Sequence, residues 1–256
     1  MTQALQQTLF TDEELARITI PFSDKVSSSD EWERRKARIG IMRADLTKWL
    51  KTDERGFPTM EPYRGVPDAL LMRFNDALSS KEYDYWVHFF VYDEFFEQIW
   101  RPEYTTRDIS ILSKFRGAFS PDFTQSPVLS PVQEQFNVYR SRAIGQSMQG
   151  VGINTIATVG WSVRRSFDFC FAGLSEGGTV AISTNGVLRR FISNRLFREG
   201  VFELERQLHP ENIVIFGQRI ELRTEAKQLW YENERIAYLR SKSKDGSGNS
   251  SNNPYK

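Results

Sequence analysis

Residues 179–216 read TVAISTNGVLRRFISNRLFREGVFELERQLHPENIVIF, with a helical pattern between two short apolar runs. The runs, Thr179–Ile182 and Asn212–Phe216, are rich in the branched residues that buried strands favour. Between them, Arg195–Leu208 carries apolar residues at helical spacing. Buried strands joined by a helix are typical of parallel pairing through a crossover, so this stretch predicts a βαβ unit.

The same alternation extends upstream. It predicts strands and helices in the order Trp86–Val91 (strand), Glu94–Trp100 (helix), Arg116–Phe119 (strand), Pro131–Met148 (helix), Ile153–Val159 (strand) and Ser166–Phe171 (helix). We therefore expect an α/β fold with a mostly parallel sheet. Either an open doubly wound sheet or an incomplete barrel fits this order.

The two ends of the chain look different from the middle. Residues 1–80 predict an N-terminal helical extension, in which Trp32 to Trp49 repeats apolar residues at helical steps. Residues 81–240 form the predicted α/β domain, closed by a helix at about Glu225–Arg240. The segment 241–256, SKSKDGSGNSSNNPYK, predicts a disordered tail.

Composition restricts the classes of protein that fit. Apolar residues make up 39% of the chain, enough for a core, and the net charge of +1 speaks neither for nor against a nucleic-acid partner. The single cysteine, Cys170, excludes an internal disulfide. The sequence shows neither a signal-peptide pattern nor an apolar run long enough to span a membrane, so we expect a cytoplasmic protein without membrane contact.

Polar and aromatic side chains follow the predicted strands, where parallel α/β sheets bind ligands. Asp122 and Asp93 are the candidate catalytic carboxylates. The candidate substrate-binding residues are Tyr92, Phe123, Trp161, Ser183 and Asn185. Each has a simpler structural alternative: Asp93 as a helix cap, Asp122 as a turn residue, Trp161 as a core residue, and Ser183 with Asn185 as caps.

Arginines cluster after the third and fourth predicted strands. The candidates for binding DNA phosphates are Arg164, Arg165, Arg189, Arg190 and Arg195. The alternative is a solvated surface on which these arginines pair with acids such as Glu199. Arg140 and Arg142, in the predicted long helix, could reach the same edge or pair internally.

Several chemistries lack their sequence signatures. Two histidines, His88 and His209, and one cysteine provide no zinc-ligand spacing, and Walker A, GxGxxG and GxSxG motifs are absent. Carboxylate chemistry beside a basic edge remains, and it suits cleavage of a glycosidic bond in nucleic acid. Such a reaction requires no metal and no organic cofactor.

Five motifs, VHFFVYDEFFEQIW, GAFSPDFTQSP, QFNVYRSRAIGQSMQGVGINTIATVGW, SFDFCFAGL and TVAISTNG, resemble a domain-of-unknown-function family frequent in phages, prophages and mobile elements. The resemblance runs from Trp86 to Gly217 and implies an α/β domain. The chain is also similar to anti-phage DNA glycosylases that excise bulky modified cytosines, such as glucosylated hydroxymethylcytosine. It departs from the family pattern where Val163, Arg164 and Arg165 replace acids and where Ala157 replaces a proline.

Three functional hypotheses follow. The first is a DNA glycosylase in phage defence that flips a modified base out of double-stranded phage DNA, with Asp122 favoured over Asp93 as the catalytic residue. The second is a non-catalytic nucleic-acid-binding protein of a phage or mobile element, which needs no aspartate. The third is a small-molecule nucleotide or sugar enzyme, for which no salt-dependent DNA binding is expected.

Overall fold

The computed structural model describes residues 43–185 and 191–232, and from Asp45 onward they belong to one compact unit. The strands are Leu70–Arg73 (β1), Tyr85–His88 (β2), Gly117–Phe119 (β3), Thr155–Thr158 (β4), Thr179–Ser183 (β5), Asn212–Phe216 (β6) and Lys227–Tyr231 (β7). The α-helices are Ala44–Thr47 (α1), Phe74–Ala77 (α2), Pro102–Leu112 (α3), Pro131–Gly150 (α4) and Phe191–Leu208 (α5). Three 3₁₀ helices cover Asp93–Phe95, Glu97–Trp100 and Arg164–Asp168.

The seven strands form one parallel sheet in the order β1-β2-β3-β4-β5-β6-β7. Each strand therefore lies beside the one that precedes it in the chain. A doubly wound sheet would reverse direction at an internal switch point, and this order contains no reversal. The predicted α/β fold with a parallel sheet is confirmed, and the doubly wound alternative is excluded.

The sheet curls strongly. The His88 ring on β2 lies 4.5 Å from the Phe216 ring on β6, although these strands would be roughly 19 Å apart in a flat sheet. The Tyr231 hydroxyl at the end of β7 donates to the carbonyl of Pro67, just before β1, over 3.3 Å. The two edges thus approach each other, and the architecture is an incomplete barrel.

Apolar side chains cover both faces of the curled sheet. The inner face brings one residue from each strand into a single cluster, namely Leu71, Trp86, Phe119, Ile156, Ala181, Val214 and Leu229. On the outer face, residues of α3 and α4 pack with those of β2 and β3. Helix α5 packs Phe197, Val201, Leu204 and Leu208 against β5 and β6. This double burial explains why the strands read as almost continuous apolar runs.

Helix α4 is the longest element and begins with a complete capping box. The Ser130 hydroxyl accepts from the backbone N–H of Gln133, whose side chain accepts from the backbone N–H of Ser130. Pro131 occupies the first turn, where its missing N–H costs nothing. The predicted helix over 131–148 is therefore confirmed, with two further residues at its C-terminal end.

Two sequence-based expectations about the ends of the domain are wrong. Residues 227–231, expected within a helix at 225–240, form β7, because KQLWY completes the sheet beside β6. Strand β1, at Leu70–Arg73, lies inside the segment expected to be a helical extension. Most of the predicted N-terminal helix, residues 233–240 and the predicted tail lie outside the described residues.

Within the described ranges, no helix combines the length and apolar character needed to cross a membrane.

Candidate functional site

A small cleft containing Asp122 opens between the carboxyl ends of β3 and β4 and the side of α4. The loop after β3 and the end of β4 supply Asp122, Gln125, Thr158 and Gly160, and α4 supplies Asn137, Ser141 and Arg142. The cleft is partly open, and its volume of about 10 Å³ is close to that needed for a single water molecule. A nucleobase is much larger, so it would have to lie at the entrance or displace the loop.

Asp122 is a partly buried carboxyl group without a charge partner. Within the described residues its side chain makes no hydrogen bond and no ion pair. Burial, with a further contribution from the nearby charge of Asp93, raises its pKa from 3.8 to about 7. At neutral pH, the group therefore exists in both the protonated and the ionised form, which suits a group that transfers protons.

Asp93 joins the loop after β2 to the loop after β3. Its two carboxylate oxygens accept from the hydroxyl of Thr124 at 2.8 Å and from the backbone N–H of Thr124 at 3.1 Å. The alternative interpretation of Asp93 as a helix cap is wrong, because Tyr92 holds the N-cap position of the 3₁₀ helix that starts at Asp93. Asp93 thus holds the Asp122 loop and adds negative charge beside it.

Arg140 of α4 supports the same loop from behind. Its guanidinium lies 3.9 Å from the Phe123 ring centroid and donates to Glu97 and Asn137. Asn137 in turn donates to the Thr124 carbonyl at 2.6 Å. These contacts hold Phe123, which follows Asp122, and Thr124, which binds Asp93.

Arg142 forms part of the cleft wall and is 1% exposed. It donates to the carbonyl oxygens of Thr158, Cys170 and Ala172, at 2.8–3.0 Å. No carboxylate balances this cation within the described chain, and burial lowers its pKa to about 10. Of the two possibilities that the sequence left open, Arg140 pairs internally with Glu97, whereas Arg142 binds backbone carbonyls and lines the cleft at the strand ends.

The three predicted aromatic residues occupy different environments. Tyr92 is 79% exposed, with its ring 6.5 Å from that of Phe95, and it is accessible for stacking. Phe123 is 3% exposed and packs against Phe96 as well as Arg140. Trp161 packs against Phe171 and Phe197 in the outer core, in line with its structural alternative.

Ser183 and Asn185 lie at the end of β5. The Ser183 hydroxyl accepts from the backbone N–H of Asn185 at 3.1 Å, forming a local turn. A side-chain carbon added to Gly217 would lie 3.2 Å from Asn185 Oδ1, so Asn185 is close to the end of β6. Neither residue lines the Asp122 cleft.

The predicted phosphate-binding arginines are paired with acids. Arg164 makes two hydrogen bonds of 2.8 Å to Glu199, and Arg195 contacts the same carboxylate at 3.0 Å. Arg165 binds the fully buried Glu134 at 3.1 Å. These three arginines therefore have acidic partners in the structure, and their role in phosphate binding stays a prediction. Arg189 and Arg190 lie outside the described residues.

No group of three or more metal-ligating side chains occurs in residues 43–185 and 191–232.

Comparison with known proteins identifies the family. The family model described as "Domain of unknown function (DUF4417)" matches residues 51–232. The chain belongs to the DUF4417 family. Among its relatives, the Gene 1 protein of Mycobacterium phage L5 is 31% identical over 198 residues, which cover 75% of this chain and 83% of the relative. The Gene 1 protein of Mycobacterium phage D29 is 36% identical over 198 residues, covering 75% of this chain and 70% of the relative. No solved structure matches significantly.

The DUF4417 match spans the whole sheet, since it begins before β1 and ends just after β7. It confirms the resemblance to a phage-associated family and extends it on both sides of Trp86–Gly217. The likeness to DNA glycosylases stays a prediction.

Sequence reasoning missed two residues that organise this region. Glu134, in the first turn of α4, accepts from the Ser162 hydroxyl and from Arg165, and so connects the helix to the loop after β4. Its position directly after Gln133 of the capping box was the available signal. His88, which was considered from the sequence only as a zinc ligand, lies on the inner face at the end of β2, where alternation with Trp86 could have placed it.

Proposed function

We propose that this protein is a DNA glycosylase that excises a bulky modified base, such as glucosylated hydroxymethylcytosine, from phage DNA. The observation that carries the proposal is Asp122, an unpaired carboxyl group with a pKa of about 7 beside a cavity for a single water molecule. Structural carboxylates are normally paired, so an isolated one at the strand ends is a candidate catalytic group.

In the proposed reaction, ionised Asp122 accepts a proton from a water molecule in the cleft. The water oxygen attacks C1′ of the flipped deoxyribose through an oxocarbenium-like transition state. The C1′–N bond breaks, the electron pair leaves with the base, and an abasic site remains. A group with a pKa near 7 is ionised often enough at neutral pH and still accepts the proton.

Gly160 lies beside Asp122 in the cleft. A side-chain carbon at position 160 would lie 3.4 Å from Asp122 Oδ1, at ordinary van der Waals distance from the carboxylate. The exposed ring of Tyr92, next to Asp93 on the same rim, is the proposed stacking surface for the flipped base or a neighbouring one. No metal or organic cofactor enters the proposed reaction.

The proposed contact with DNA phosphates uses Arg164 and Arg195, both of which bind Glu199 in the free protein. A phosphate would therefore compete with Glu199. Glu199→Gln should tighten DNA binding and steepen its dependence on salt, because it releases two guanidinium groups. Unchanged binding by Glu199→Gln would remove these two arginines from the proposed interface.

The test of catalysis uses glucosylated-hydroxymethylcytosine DNA and unmodified DNA, each followed by alkaline cleavage at abasic sites. We expect breaks in the modified DNA with the wild type and at least about a hundredfold fewer with Asp122→Asn. Asp168→Asn is the matched control, because Asp168 is exposed and its side chain makes no hydrogen bond or ion pair in the described structure.

Absence of breaks on every modified substrate would reject the glycosylase proposal. Salt-dependent DNA binding without breaks, unaffected by Asp122→Asn, would instead support the non-catalytic nucleic-acid-binding alternative. Absence of DNA binding altogether would point to the small-molecule enzyme.

A further inference from the structure

The Asp122 cleft contains a second polar group without a partner, the side-chain carbonyl of Gln125. Both residues belong to the loop after β3, and both line the cleft. Gln125 Oε1 is buried and has no hydrogen-bond partner within residues 43–185 and 191–232. A buried acceptor without a donor costs free energy unless a ligand or a water molecule supplies that donor.

The nitrogen of the Gln125 amide determines which way the group is turned. Gln125 Nε2 donates to the backbone carbonyl of Glu134, in the first turn of α4, over 3.2 Å. A carbonyl oxygen only accepts hydrogen bonds, so the amide nitrogen must face it and Oε1 must take the other position. The atom that Gln125 leaves without a partner is therefore an acceptor and not a donor.

The other polar side chains of the cleft are already occupied. Each of those that bear oxygen or nitrogen has a hydrogen-bond partner within the protein, namely Asn137, Ser141, Arg142 and Thr158. By contrast, neither the Asp122 carboxyl group nor Gln125 Oε1 has a partner among the described residues. The cleft thus leaves two acceptors open, and it suits a ligand with two donor hydrogens.

Gly160 lies against both of these residues. A side-chain carbon built on Gly160 would lie 3.4 Å from Asp122 Oδ1 and 3.5 Å from Gln125 Cγ. The two side chains therefore border the same small space. The cleft that they line has a volume of about 10 Å³, which fits one water molecule, and an ordered water needs two or more polar partners.

We propose that Asp122 and Gln125 together bind the attacking water molecule, which makes Gln125 a second catalytic residue. This inference rests on the proposed glycosylase reaction. One O–H group of the water donates to ionised Asp122, and the other donates to Gln125 Oε1. Both hydrogens are then held by the protein, and the lone pairs of the water oxygen are left free to attack C1′.

The two O–H bonds of this water have different fates. The bond at Asp122 breaks as the water oxygen attacks C1′, and its proton moves to the carboxylate. The bond at Gln125 stays intact, because an amide oxygen does not take up a proton at neutral pH, and it becomes the hydroxyl group on C1′. The C1′–N bond breaks and its electron pair leaves with the base. Gln125 thus orients the water that Asp122 deprotonates.

A high-resolution crystal structure of the protein without DNA tests the water site. At alkaline pH, where Asp122 is ionised, we expect one ordered water within about 2.5–3.0 Å of both a carboxylate oxygen of Asp122 and Gln125 Oε1. The Gln125→Met variant, with a side chain of similar length but no oxygen, should lose this water. An empty position in the wild type, or a water that stays in place in Gln125→Met, would overturn the proposal.

Cleavage of glucosylated-hydroxymethylcytosine DNA tests what the water does. Gln125→Met should lower kcat by at least about tenfold, the loss expected for one hydrogen bond, and leave KM nearly unchanged. Gln125→Glu also loses the amide donor to Glu134 but keeps an oxygen acceptor, so it should retain more of kcat than Gln125→Met. Gln218→Met is the matched control, because Gln218 is exposed and its side chain makes no hydrogen bond in the described structure.

The outcomes separate this inference from the glycosylase proposal. A wild type that makes no breaks rejects the glycosylase proposal and the catalytic role of Gln125 with it. A wild type that cleaves, together with a Gln125→Met variant that cleaves equally fast, rejects the role of Gln125 alone. Equal losses of kcat in Gln125→Met and Gln125→Glu would trace the effect to the contact with Glu134 and likewise overturn the inference.

Discussion

At the scale of single residues, Asp122 and His88 share an unusual property. Each is a titratable group whose burial shifts its pKa: the Asp122 carboxyl group has no hydrogen bond or ion pair within the described residues, and the His88 side chain is 3% exposed. Such groups reduce stability, and proteins retain them mainly where a substrate or ligand completes the environment. Burial favours the neutral form of both groups. It therefore raises the pKa of the acid Asp122 and lowers the pKa of the base His88.

For Asp122, we expect Asn substitution to stabilise the protein at alkaline pH. The pKa is about 7 in the folded state against 3.8 in the unfolded chain, so the folded protein retains a proton that the unfolded chain loses. Stability from this group is full below the unfolded pKa and is lost as pH rises through about 7. At about pH 8, Asp122→Asn should exceed the wild type in unfolding free energy by at most about 4 kcal/mol, less any solvent screening.

Urea unfolding of both proteins at about pH 4 and about pH 8 measures this difference. Asp168→Asn, the exposed control, should show no such dependence on pH. The interpretation of Asp122 fails if its Asn variant gains nothing on going from acid to alkaline conditions.

His88 gives the reverse dependence. Its pKa is about 3 when folded and 6.5 when unfolded, so the unfolded chain binds a proton first as pH falls. Stability is intact above pH 6.5 and declines between 6.5 and about 3, by up to about 1.4 kcal/mol per pH unit. His88→Gln should remove this slope. The free energy of unfolding of the wild type and of His88→Gln is compared at each pH, because Asp122 then contributes equally to both proteins. Parallel curves of unfolding free energy against pH would contradict the prediction.

At the scale of elements, close packing at glycines joins the loop after β4 to α5. A side-chain carbon at Gly200 in α5 would lie 2.1 Å from the Trp161 ring, so only glycine permits the observed contact. Trp161 in turn lies beside Phe197, one helical turn earlier. The same helix positions Glu199, which binds Arg164 and Arg195. Packing of Trp161 therefore also sets the geometry of the arginine surface.

We expect Gly200→Ala to destabilise the protein by about 1–3 kcal/mol, because the Trp161 ring must move. Gly150→Ala is the matched control: it lies at the end of α4, where an added carbon meets nothing within 4 Å. That change should be neutral or stabilising by up to about 1 kcal/mol, owing to the higher helix propensity of alanine. Thermal unfolding of the two variants decides the matter, and equal melting temperatures would show that Trp161 is not held tightly.

At the scale of the whole molecule, the curled sheet depends on strands that are far apart in sequence. Strand β7 covers the edge of β6, and Tyr231 reaches the segment before β1. The aromatic inner face, with Trp86, Phe90 and Phe216, is therefore enclosed by the last strand as well as by its neighbours. An incomplete barrel without this strand would leave apolar side chains open to water.

A chain that ends at Gly217 should consequently lose its cooperative thermal transition and bind a hydrophobic dye such as ANS. A chain that ends at Arg240 is the control, because it retains β7 and removes only the segment that the sequence predicts to be disordered. Circular dichroism and dye fluorescence would compare the two. A truncated chain without β7 that melts like the full-length protein would show that β7 contributes little to the fold.

Much of this arrangement could be predicted from the sequence. Strands β2 to β6 are short apolar runs, and α4 and α5 carry clear caps or helical periodicity, so their order predicted a parallel sheet. That order also predicted that Asp93 and Asp122, which follow neighbouring strands, lie near each other. Strands β1 and β7 were missed because LLMR and KQLWY are too short to separate strand from helical spacing.

Most partners of individual charges could not be predicted. The sequence suggested Glu199 as a partner for the arginine cluster, but Arg165 binds Glu134, 31 positions away, and Arg140 binds Glu97, 43 positions away. Local composition shows the cluster of arginines but not most of the acids that contact them. The environment of Trp161 likewise depends on Gly200 on a separate helix. The sequence pattern was sufficient to find the arginines, but it could not show whether acidic side chains already pair with them.

The sequence by itself determined the alternation of buried strands and helices and the edge of the sheet where polar side chains gather. Both follow from local periodicity and from the rule that parallel strands end on the same side. Only the tertiary structure decided that the sheet curls, that Arg164 and Arg195 share Glu199, and that Asp122 has no hydrogen bond or ion pair among the described residues. These properties depend on which residues, far apart in sequence, come within a few ångströms of each other in the fold. The spacing of residues along the chain does not determine those distances.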